Sequence, residues 1–346
     1  MSTRLEALAA AVEDPFLVTD PTNVRYLTGF ESSNAAVLVE PGGGATLYTD
    51  FRYIEAARGV GGVTVEQAKR SVTQYLSEKI SGRVAVEADA VTYSQWQQLA
   101  GSGAELVATT GVVEALRAVK DAEELAAVAR TARIADRAFE ALTAEAWVGR
   151  TEREVSWRLF ELLHAHGADG VSFETIVASG PNGAKPHARP TDRLIEPRTL
   201  VTVDWGARAG GYCSDCTRTL STGQLPDRLR EIYDVCLAAQ EAAVAGIRAG
   251  ITGVEADSLS RDPIEAAGYG ANFGHGLGHG VGLQVHEAPN LSQQSKDTLA
   301  AGQIVTIEPG IYLEGEGGVR IEDLAIVRED GVEVLTSFPK SLITVS

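Results

Sequence analysis

Two segments of the chain place a pair of carboxylates at the ends of a predicted β-hairpin. Asp204 and Asp215 flank the first, in VDWGARAGGYCSD. A two-residue turn at Ala209-Gly210 would pair Asp204 directly with Asp215, and such opposed residues have Cβ atoms roughly 4.5–5.5 Å apart. Carboxylates at that distance resist ionisation unless a cation binds between them. For this hairpin alone, the alternative that the register slips or that one Asp faces solvent stays open.

The second hairpin repeats the arrangement. Glu308 and Glu322, in EPGIYLEGEGGVRIE, are symmetric about Gly315, and a loop of Glu314-Gly315-Glu316 would set the two acids opposite each other. Pro309 makes this register less secure, because proline cannot donate a hydrogen bond to a ladder. Apolar residues flank both acids, however, and a charge among apolar strand residues needs a partner. Two hairpins with opposed acids therefore predict a cation site.

Histidines accompany both hairpins. His187 precedes the first, and His275, His279 and His286 lie in FGHGLGHGVGLQVHE before the second. A single histidine is usually structural, whereas three spaced by four and seven residues near an acid cluster predict ligation or proton transfer. Four carboxylates and one imidazole form a hard, oxygen-rich set that suits Mn²⁺, or Co²⁺ and Zn²⁺. Because carboxylates can bridge, we expect two divalent ions roughly 3.5–4 Å apart that share one water.

Composition narrows the classes of function. The chain has 346 residues with 30 basic against 47 acidic side chains, a net charge of −17 that disfavours nucleic acid as a partner. No apolar stretch approaches the ~20 residues that span a bilayer, and the N-terminus lacks a secretory apolar region, so we expect no membrane association. Cys213 and Cys216 form a C-x-x-C, which is typical of a redox pair or half a zinc site. With Cys236 as the only other cysteine, packed reduced thiols and a cytoplasmic location are favoured.

The elements that must position these side chains fall into two parts, 1–117 and 118–346. The first predicts a small supporting α/β domain, since none of the six histidines lies there. Its β-rich runs are 16–19, 35–40, 45–49 and 84–88, and its helical patterns lie near 51–58, 71–80 and 93–100.

The second part predicts helices at about 120–145, from Thr151 with a capping box to Glu154, at 226–249 and at 252–268, and strand pairs at 199–221 and 303–328. Helix, helix, histidine segment and hairpin thus occur twice, offset by roughly a hundred residues. The pattern predicts a pseudo-twofold α+β domain whose two hairpins face one centre.

These motifs resemble those of the pita-bread metallopeptidases, specifically the Xaa-Pro aminopeptidase and prolidase group. NVRYLTGF and LYTDFRYIEAA are similar to the N-terminal domain of that group. Its catalytic motifs are matched in order by ETIVASGPNGAKPH, VTVDWGARAGGYCSDCTRT, GHGLGHGVGLQVHE, VTIEPGIY and GGVRIEDL. The resemblance covers nearly the whole chain. It implies a creatinase-like N-terminal α/β domain and an α+β pita-bread catalytic domain with a curved antiparallel sheet.

The resemblance also implies a metal ligand set. Asp204 would chelate one ion, His279 and Glu308 would bind the other, and Asp215 and Glu322 would bridge both. Glu308 would in addition act as the general base toward the shared water.

The same resemblance assigns the substrate contacts. His187 and His286 would contact the substrate and stabilise the tetrahedral intermediate. His275, Tyr312 and Arg320 would line the pocket on the proline side.

The implied activity is that of a dinuclear-metal exopeptidase acting on peptides with proline in the second position, as a homodimer. We favour an Xaa-Pro aminopeptidase, with an Xaa-Pro dipeptidase (prolidase) as the alternative. A dipeptidase must bind the free proline carboxylate, and Arg320 could serve as that clamp or as a pocket wall. A creatinase-like hydrolase would lack the five ligands, and a methionine aminopeptidase would lack the N-terminal domain. A non-peptidase pita-bread binding protein would be expected to have lost the acids.

Overall fold

The β-rich runs of the first hundred residues form one mixed sheet. In this computed structural model, residues 3–69 and 71–346 are described, and the chain divides into two compact units, Met1–Arg117 and Ala118–Ser346. The strands of the first unit are β1 (Phe16–Val18), β2 (Ala35–Val39), β3 (Ala45–Thr49), β4 (Thr64–Gln67), β5 (Arg83–Glu87) and β6 (Glu105–Thr109). Their order is β4-β3-β2-β1-β5-β6, with β1 antiparallel to β2 and parallel to β5.

Short helices accompany this sheet. They are α1 (Thr3–Ala11), α2 (Pro21–Thr28), α3 (Ile54–Ala57), α4 (Val72–Leu76), α5 (Tyr93–Ala100) and α6 (Val112–Ala118). The four predicted strands and three predicted helices are confirmed, with shorter helices than expected at α3 and α4. Helix α2 was missed although its signals are local: Asp20 accepts hydrogen bonds from two backbone N–H groups, Pro21 is the first residue, and Gly29 ends the helix with φ 70°.

The second unit contains the expected repeat. Its first half comprises α7 (Ala122–Thr143), α8 (Glu152–Ala165), β7 (Gly170–Val171), β8 (Ile176–Ser179), a 3-10 turn (Gly180–Ala184), β9 (Leu200–Trp205), β10 (Ala207–Ala209), β11 (Tyr212–Cys213) and β12 (Cys216–Ser221). Its second half comprises α9 (Asp227–Gly246), α10 (Gly253–Ala266), a 3-10 turn (Gly270–Asn272), β13 (Gly278–Gly280), β14 (Glu287–Leu291), β15 (Ile304–Ile307), β16 (Gly310–Leu313), β17 (Gly317–Arg320), β18 (Asp323–Arg328) and β19 (Gly331–Val334).

The second helix of each half begins with the same capping box. Thr151 and Glu154 exchange hydrogen bonds at the start of α8, as predicted, with Thr151 N donating to Glu154 Oε2 at 2.7 Å. Thr252 and Glu255 do so at the start of α10, also at 2.7 Å. In a capping box, the threonine and glutamate side chains accept hydrogen bonds from backbone N–H groups that would otherwise be unpaired. Since α8 and α10 both begin in this way, they start at equivalent places in the repeat.

Alternation along the strands separates the core from the polar centre. In β9, Val201, Val203 and Trp205 belong to the buried cluster beneath α7 and α8, where Phe139 stacks on Trp205 with ring centroids 3.8 Å apart. Asp204, with the opposite parity, therefore faces the other side of the strand. The same alternation in β15 buries Val305 and Ile307 against α9 and α10.

The first hairpin departs from its predicted register. The turn is Gly210-Gly211, with φ 57° and 87°, and Asp204 pairs with Thr217. The predicted turn at Ala209-Gly210 and the direct pairing of Asp204 with Asp215 are therefore wrong. Two glycines tolerate the positive φ angles that a two-residue turn requires, whereas Ala209 would not. Since Asp215 lies two residues before Thr217, the slip keeps both aspartates on one face.

The second hairpin has the predicted register. Gly310 pairs with Arg320 and Leu313 with Gly317, which leaves Glu314-Gly315-Glu316 as the loop, with Gly315 at φ 78°. The register continues beyond Pro309, where Ile307 of β15 pairs with Asp323 of β18. Glu308 and Glu322 thus occupy opposed positions at the interruption between the two ladders.

The two hairpins meet at one point. Strands β8, β9 and β12 form one antiparallel sheet, and β14, β13, β15, β18 and β19 form another. Glu322 N donates to Thr217 O at 3.0 Å and so joins them. The expectation that both hairpins face one centre is confirmed.

Two further expectations concern the rest of the chain. Cys213, Cys216 and Cys236 are buried and free, as predicted. Within the described parts of the chain, no helix is both long and apolar enough to cross a membrane.

We predict that Gly278→Ala destabilises the second unit. A Cβ at Gly278 would lie 2.1 Å from Thr306 O, so β13 would have to move away from β15. Overpacking of this kind typically costs about 1–3 kcal/mol. Thermal unfolding should show a Tm several degrees lower, by about 2–4 °C per kcal/mol.

The matched control is Gly331→Ala. A Cβ at Gly331 meets no atom within 4 Å, so its Tm should stay near that of the wild type. Equal Tm values for the two variants would show that the stability of the second unit does not depend on the close approach of β13 to Thr306.

Candidate metal centre

Three carboxylate oxygens converge where the two sheets meet. Asp204, Asp215 and Glu322 each offer one oxygen, and the three atoms lie within 4.8 Å of one another. Asp204 lies in β9, Asp215 directly precedes β12, and Glu322 directly precedes β18. Each acid is thus held by an antiparallel ladder on at least one side, which fixes the positions of the carboxylates.

His279 and Glu308 lie on one side of these acids. His279 Nε2 is 3.3 Å from Glu308 Oε1 and 3.7 Å from Asp215 Oδ2. His279 Nδ1 lies 3.1 Å from Gly280 O, which directs Nε2 toward the acids. The structure therefore brings together all five side chains that the sequence analysis named as ligands.

Two threonines that the sequence analysis did not single out support the cluster. Thr306 Oγ1 donates to Glu308 Oε1 at 3.1 Å and accepts from His279 N at 3.0 Å. Thr217 Oγ1 donates to Glu322 Oε2 at 2.7 Å. Their signal in the sequence is parity: each lies an even number of residues from an acid on its own strand segment, so it shares the face of that acid.

The carboxylates have unused oxygens. Asp204 Oδ1 and Glu322 Oε1 are buried and accept no hydrogen bond from any described residue. A buried polar atom without a partner is unfavourable by about 1–3 kcal/mol, and more when it is charged. Divalent cations bind carboxylate oxygens of this kind, so the residues fit a metal site.

Burial and mutual repulsion oppose ionisation of the acids. Burial, followed by the charges of Glu322 and Asp204, raises the pKa of Asp215 well above its usual range. Burial, with Glu308 and Asp204, raises the pKa of Glu322 likewise. Burial also raises the pKa of Asp204, although Arg320 opposes the shift. A bound cation would reverse these penalties.

Glu308 and His279 differ from the other members. Burial disfavours both charges, but the contact between the two side chains outweighs it, lowering the pKa of Glu308 and raising that of His279. Glu308 is therefore ionised at neutral pH.

Arg320 is held against the acids. Its guanidinium is buried and donates from Nη2 to Asp204 Oδ2 at 2.7 Å and from Nε to Thr217 Oγ1 at 3.0 Å. Nη1 donates to Tyr312 Oη at 3.0 Å and to Pro186 O at 3.1 Å. These four hydrogen bonds commit most of its donors to the protein.

Tyr312 links Arg320 to His275. Tyr312 Oη lies 2.9 Å from His275 Nε2, and burial raises the pKa of Tyr312 to about 12 although Arg320 opposes the shift. Burial lowers the pKa of His275. The three side chains expected to line the proline pocket thus form one connected group beside Asp204.

The remaining two predicted residues lie at the exposed edge of the cluster. The His286 ring centroid is 4.3 Å from that of His279, and partial burial, followed by the charge of His279, lowers the pKa of His286. His187 is exposed and follows Pro186, whose carbonyl accepts from Arg320. Both imidazoles are therefore accessible to a molecule that enters the cluster.

The described geometry agrees with a known enzyme family. The sequence pattern of metallopeptidase family M24 matches residues 126–329, and that of the Creatinase/Prolidase N-terminal domain matches residues 3–119. The chain belongs to metallopeptidase family M24. It is therefore a metal-dependent peptidase, and the expected pita-bread fold class is confirmed.

Individual members of the M24 family resemble the chain over its full length. The Xaa-Pro dipeptidase of Pyrococcus furiosus is 36% identical over 99% of this chain and 100% of its own. The structure of an Xaa-Pro dipeptidase from Bacillus anthracis has a TM-score of 0.95 at 41% identity and covers 99% of both chains. That of an X-Pro aminopeptidase from Thermotoga maritima has a TM-score of 0.90 at 34% identity, covering 99% of this chain and 100% of that one.

We predict that chelation destabilises this M24 peptidase most at neutral pH. Asp215 and Glu322 have raised pKa values when folded, so the metal-free folded state binds more protons than the unfolded state above the usual carboxyl pKa of about 4. Its stability then falls as pH rises from about 4 toward neutrality. Each ion held at about 100 times its Kd stabilises the fold by about 2.7 kcal/mol, so the removal of each at pH 7.5 should lower Tm by about 5–10 °C.

Differential scanning fluorimetry with and without a chelator measures the gap in Tm between the metal-loaded and the metal-free protein. The gap should shrink at pH 5, because protons relieve repulsion in the metal-free protein and compete with the ions. A gap that widens at pH 5, or no gap at neutral pH, would contradict the prediction.

Proposed function

We propose that this M24 peptidase hydrolyses the bond between an N-terminal residue and a following proline, with Xaa-Pro dipeptides as its principal substrates. The main observation in support is that Asp204, Asp215 and Glu322 converge beside His279 and Glu308. The dipeptide preference is supported by relatives from two organisms that are named Xaa-Pro dipeptidases and match 99% of this chain.

We propose that the five side chains hold two divalent ions. Asp204 would bind one, His279 and Glu308 the other, and Asp215 and Glu322 both. Mn²⁺ suits this oxygen-rich set best, with Co²⁺ or Zn²⁺ as substitutes. Such ions polarise a carbonyl and lower the pKa of a shared water, which serves a prolyl bond because it requires no N–H on the scissile amide.

The remaining roles follow from charge and exposure. Glu308 is ionised at neutral pH and can accept a proton as a general base. His187 and His286 are exposed at the edge of the cluster, where an imidazole N–H can donate to the oxyanion of the tetrahedral intermediate. His275, Tyr312 and Arg320 would line the proline side of the substrate.

The second candidate is an Xaa-Pro aminopeptidase that acts on longer peptides. It is favoured by the contacts of Arg320, which already donates to Asp204, Thr217, Tyr312 and Pro186. A free proline carboxylate would have to compete with these four acceptors, whereas a longer peptide presents no carboxylate there.

Two further parts of the proposal concern assembly and location. We propose a homodimer, as the resemblance to the Xaa-Pro group implies, and light scattering tests it. The three buried free cysteines support a reducing compartment such as the cytoplasm.

We predict that kcat/KM for Ala-Pro exceeds that for Ala-Pro-Ala by about tenfold or more, equivalent to about 1.4 kcal/mol. Both substrates are assayed with Mn²⁺-loaded protein, with Ala-Ala as the control that lacks proline. A preference for the tripeptide would select the aminopeptidase, and cleavage of neither proline peptide would reject the proposed function.

We predict that Asp215→Asn abolishes activity, by about a hundredfold or more, while the fold is retained. The substitution removes a bridging charge but almost no volume. Metal analysis should show a reduced content. The matched control is Asp234→Asn on α9, where Asp234 pairs with exposed Arg230. Retained activity of the Asp215 variant with unchanged metal content would contradict the assigned role.

A further inference from the structure

The loop that carries His187 is anchored by a buried acid outside the metal cluster. We infer that Glu152 is a positioning residue that fixes this loop and so holds His187 toward the substrate. The inference rests on the function proposed above, in which His187 contacts substrate. Glu152 is the first residue of α8, and 0% of the residue is exposed.

The Glu152 carboxylate accepts five hydrogen bonds. Oε1 accepts from Ser179 N at 2.7 Å and from Ser179 Oγ at 2.9 Å. Oε2 accepts from Asn182 Nδ2 at 2.8 Å, from Thr191 N at 3.0 Å and from Thr191 Oγ1 at 2.7 Å. All five donors are neutral backbone, hydroxyl or amide groups. Both oxygens are therefore satisfied, and the partners all lie within residues 179–191, from the end of β8 through the loop that carries His187.

The donors enclose His187 in the sequence. Ser179 and Asn182 precede it, and Thr191 follows it. Asn182 Nδ2 also donates to Arg189 O at 3.1 Å, which ties the two sides of the loop together. The His187 ring makes no hydrogen bond with any residue of 3–69 and 71–346. The position of His187 therefore depends on the backbone of this loop, which Glu152 holds at both ends.

The fold itself does not require an acid at this position of the repeat. Glu152 follows the capping threonine Thr151, and Gly253 follows the equivalent Thr252. A Cβ at Gly253 would lie 2.2 Å from Asn290 O, so the second half excludes any side chain there. Helix α10 nevertheless starts with the same capping box. The contacts of Glu152 thus serve the His187 loop rather than the start of the helix.

The test is a double-mutant cycle with Glu152→Gln and His187→Ala. Glutamine has nearly the same shape, but an NH₂ group replaces one of the two acceptor oxygens. That NH₂ would face the donors of Ser179 in one orientation of the amide, or those of Asn182 and Thr191 in the other. We expect kcat to fall by about 10–100-fold, as for other residues that orient a functional side chain. The double variant should be no less active than His187→Ala alone, and metal content should match the wild type.

The control is Glu154→Gln in the same turn of α8. Glu154 is exposed and contacts Thr151, so this change should lower Tm without altering kcat. Hydrogen exchange of a peptide covering 183–190 supplies a readout besides activity. Exchange there should increase in Glu152→Gln and not in Glu154→Gln. Should Glu152→Gln fail to fold, Thr191→Val removes one donor, and its smaller loss of kcat should likewise vanish in the His187→Ala background.

Other outcomes separate this inference from the proposed function. The positioning role would be overturned if the losses of kcat from the two single substitutions multiplied in the double variant, or if hydrogen exchange in the loop were unchanged. The peptidase proposal would stay intact in either case. Cleavage of neither proline peptide by the loaded wild type would reject the peptidase proposal, and the exchange measurement would then still decide whether Glu152 holds the loop.

Discussion

The mutual repulsion of carboxylates held at the junction of two sheets is the constraint on which the second unit depends. Asp204, Asp215 and Glu322 lie in or directly beside antiparallel ladders, which set their backbone positions and bring their oxygens within 4.8 Å of one another. The buried aromatic stack beneath α7 and α8 and the apolar faces of α9 and α10 supply the rigid support for those ladders. Such an arrangement is unfavourable for the protein alone and becomes favourable when positive charge enters it.

The cluster can be predicted from the sequence because β-strand alternation is insensitive to an even error in register. The predicted register of the Asp204 hairpin differs from the observed one by two residues and has the wrong turn, yet both registers put the two aspartates on one face. The choice between Ala209-Gly210 and Gly210-Gly211 depends on which positions take positive φ, and adjacent glycines make the two turns hard to distinguish from sequence. At the second hairpin the loop is centred on Gly315, which has a φ of 78°, and the predicted register is correct.

The elements and contacts that the sequence does not reveal share a physical cause. Strands β4 and β6 carry half-exposed, mixed side chains, so they lack the apolar alternation that marks a strand. Thr217, Thr306 and Glu152 act through hydrogen bonds between segments far apart in the chain. A threonine in a strand or a glutamate in the first turn of a helix is ordinary in sequence, and only the fold shows what it contacts.

The charges around the cluster also distinguish its acids. Asp204 accepts a hydrogen bond from the cationic Arg320, and Glu308 contacts His279, so each has a positive or polarisable partner within the protein. Asp215 and Glu322 accept no hydrogen bond from a cationic side chain among the described residues, although His279 Nε2 lies 3.7 Å from Asp215 Oδ2. Burial and neighbouring acids raise the pKa values of both acids well above the usual range. These two acids therefore need external positive charge most. A carboxylate that bridged two ions would contact more positive charge than one that bound a single ion, so the bridging positions suit the least compensated acids. The distribution of internal partners is thus a reason, besides the motifs, to propose Asp215 and Glu322 as the bridging ligands.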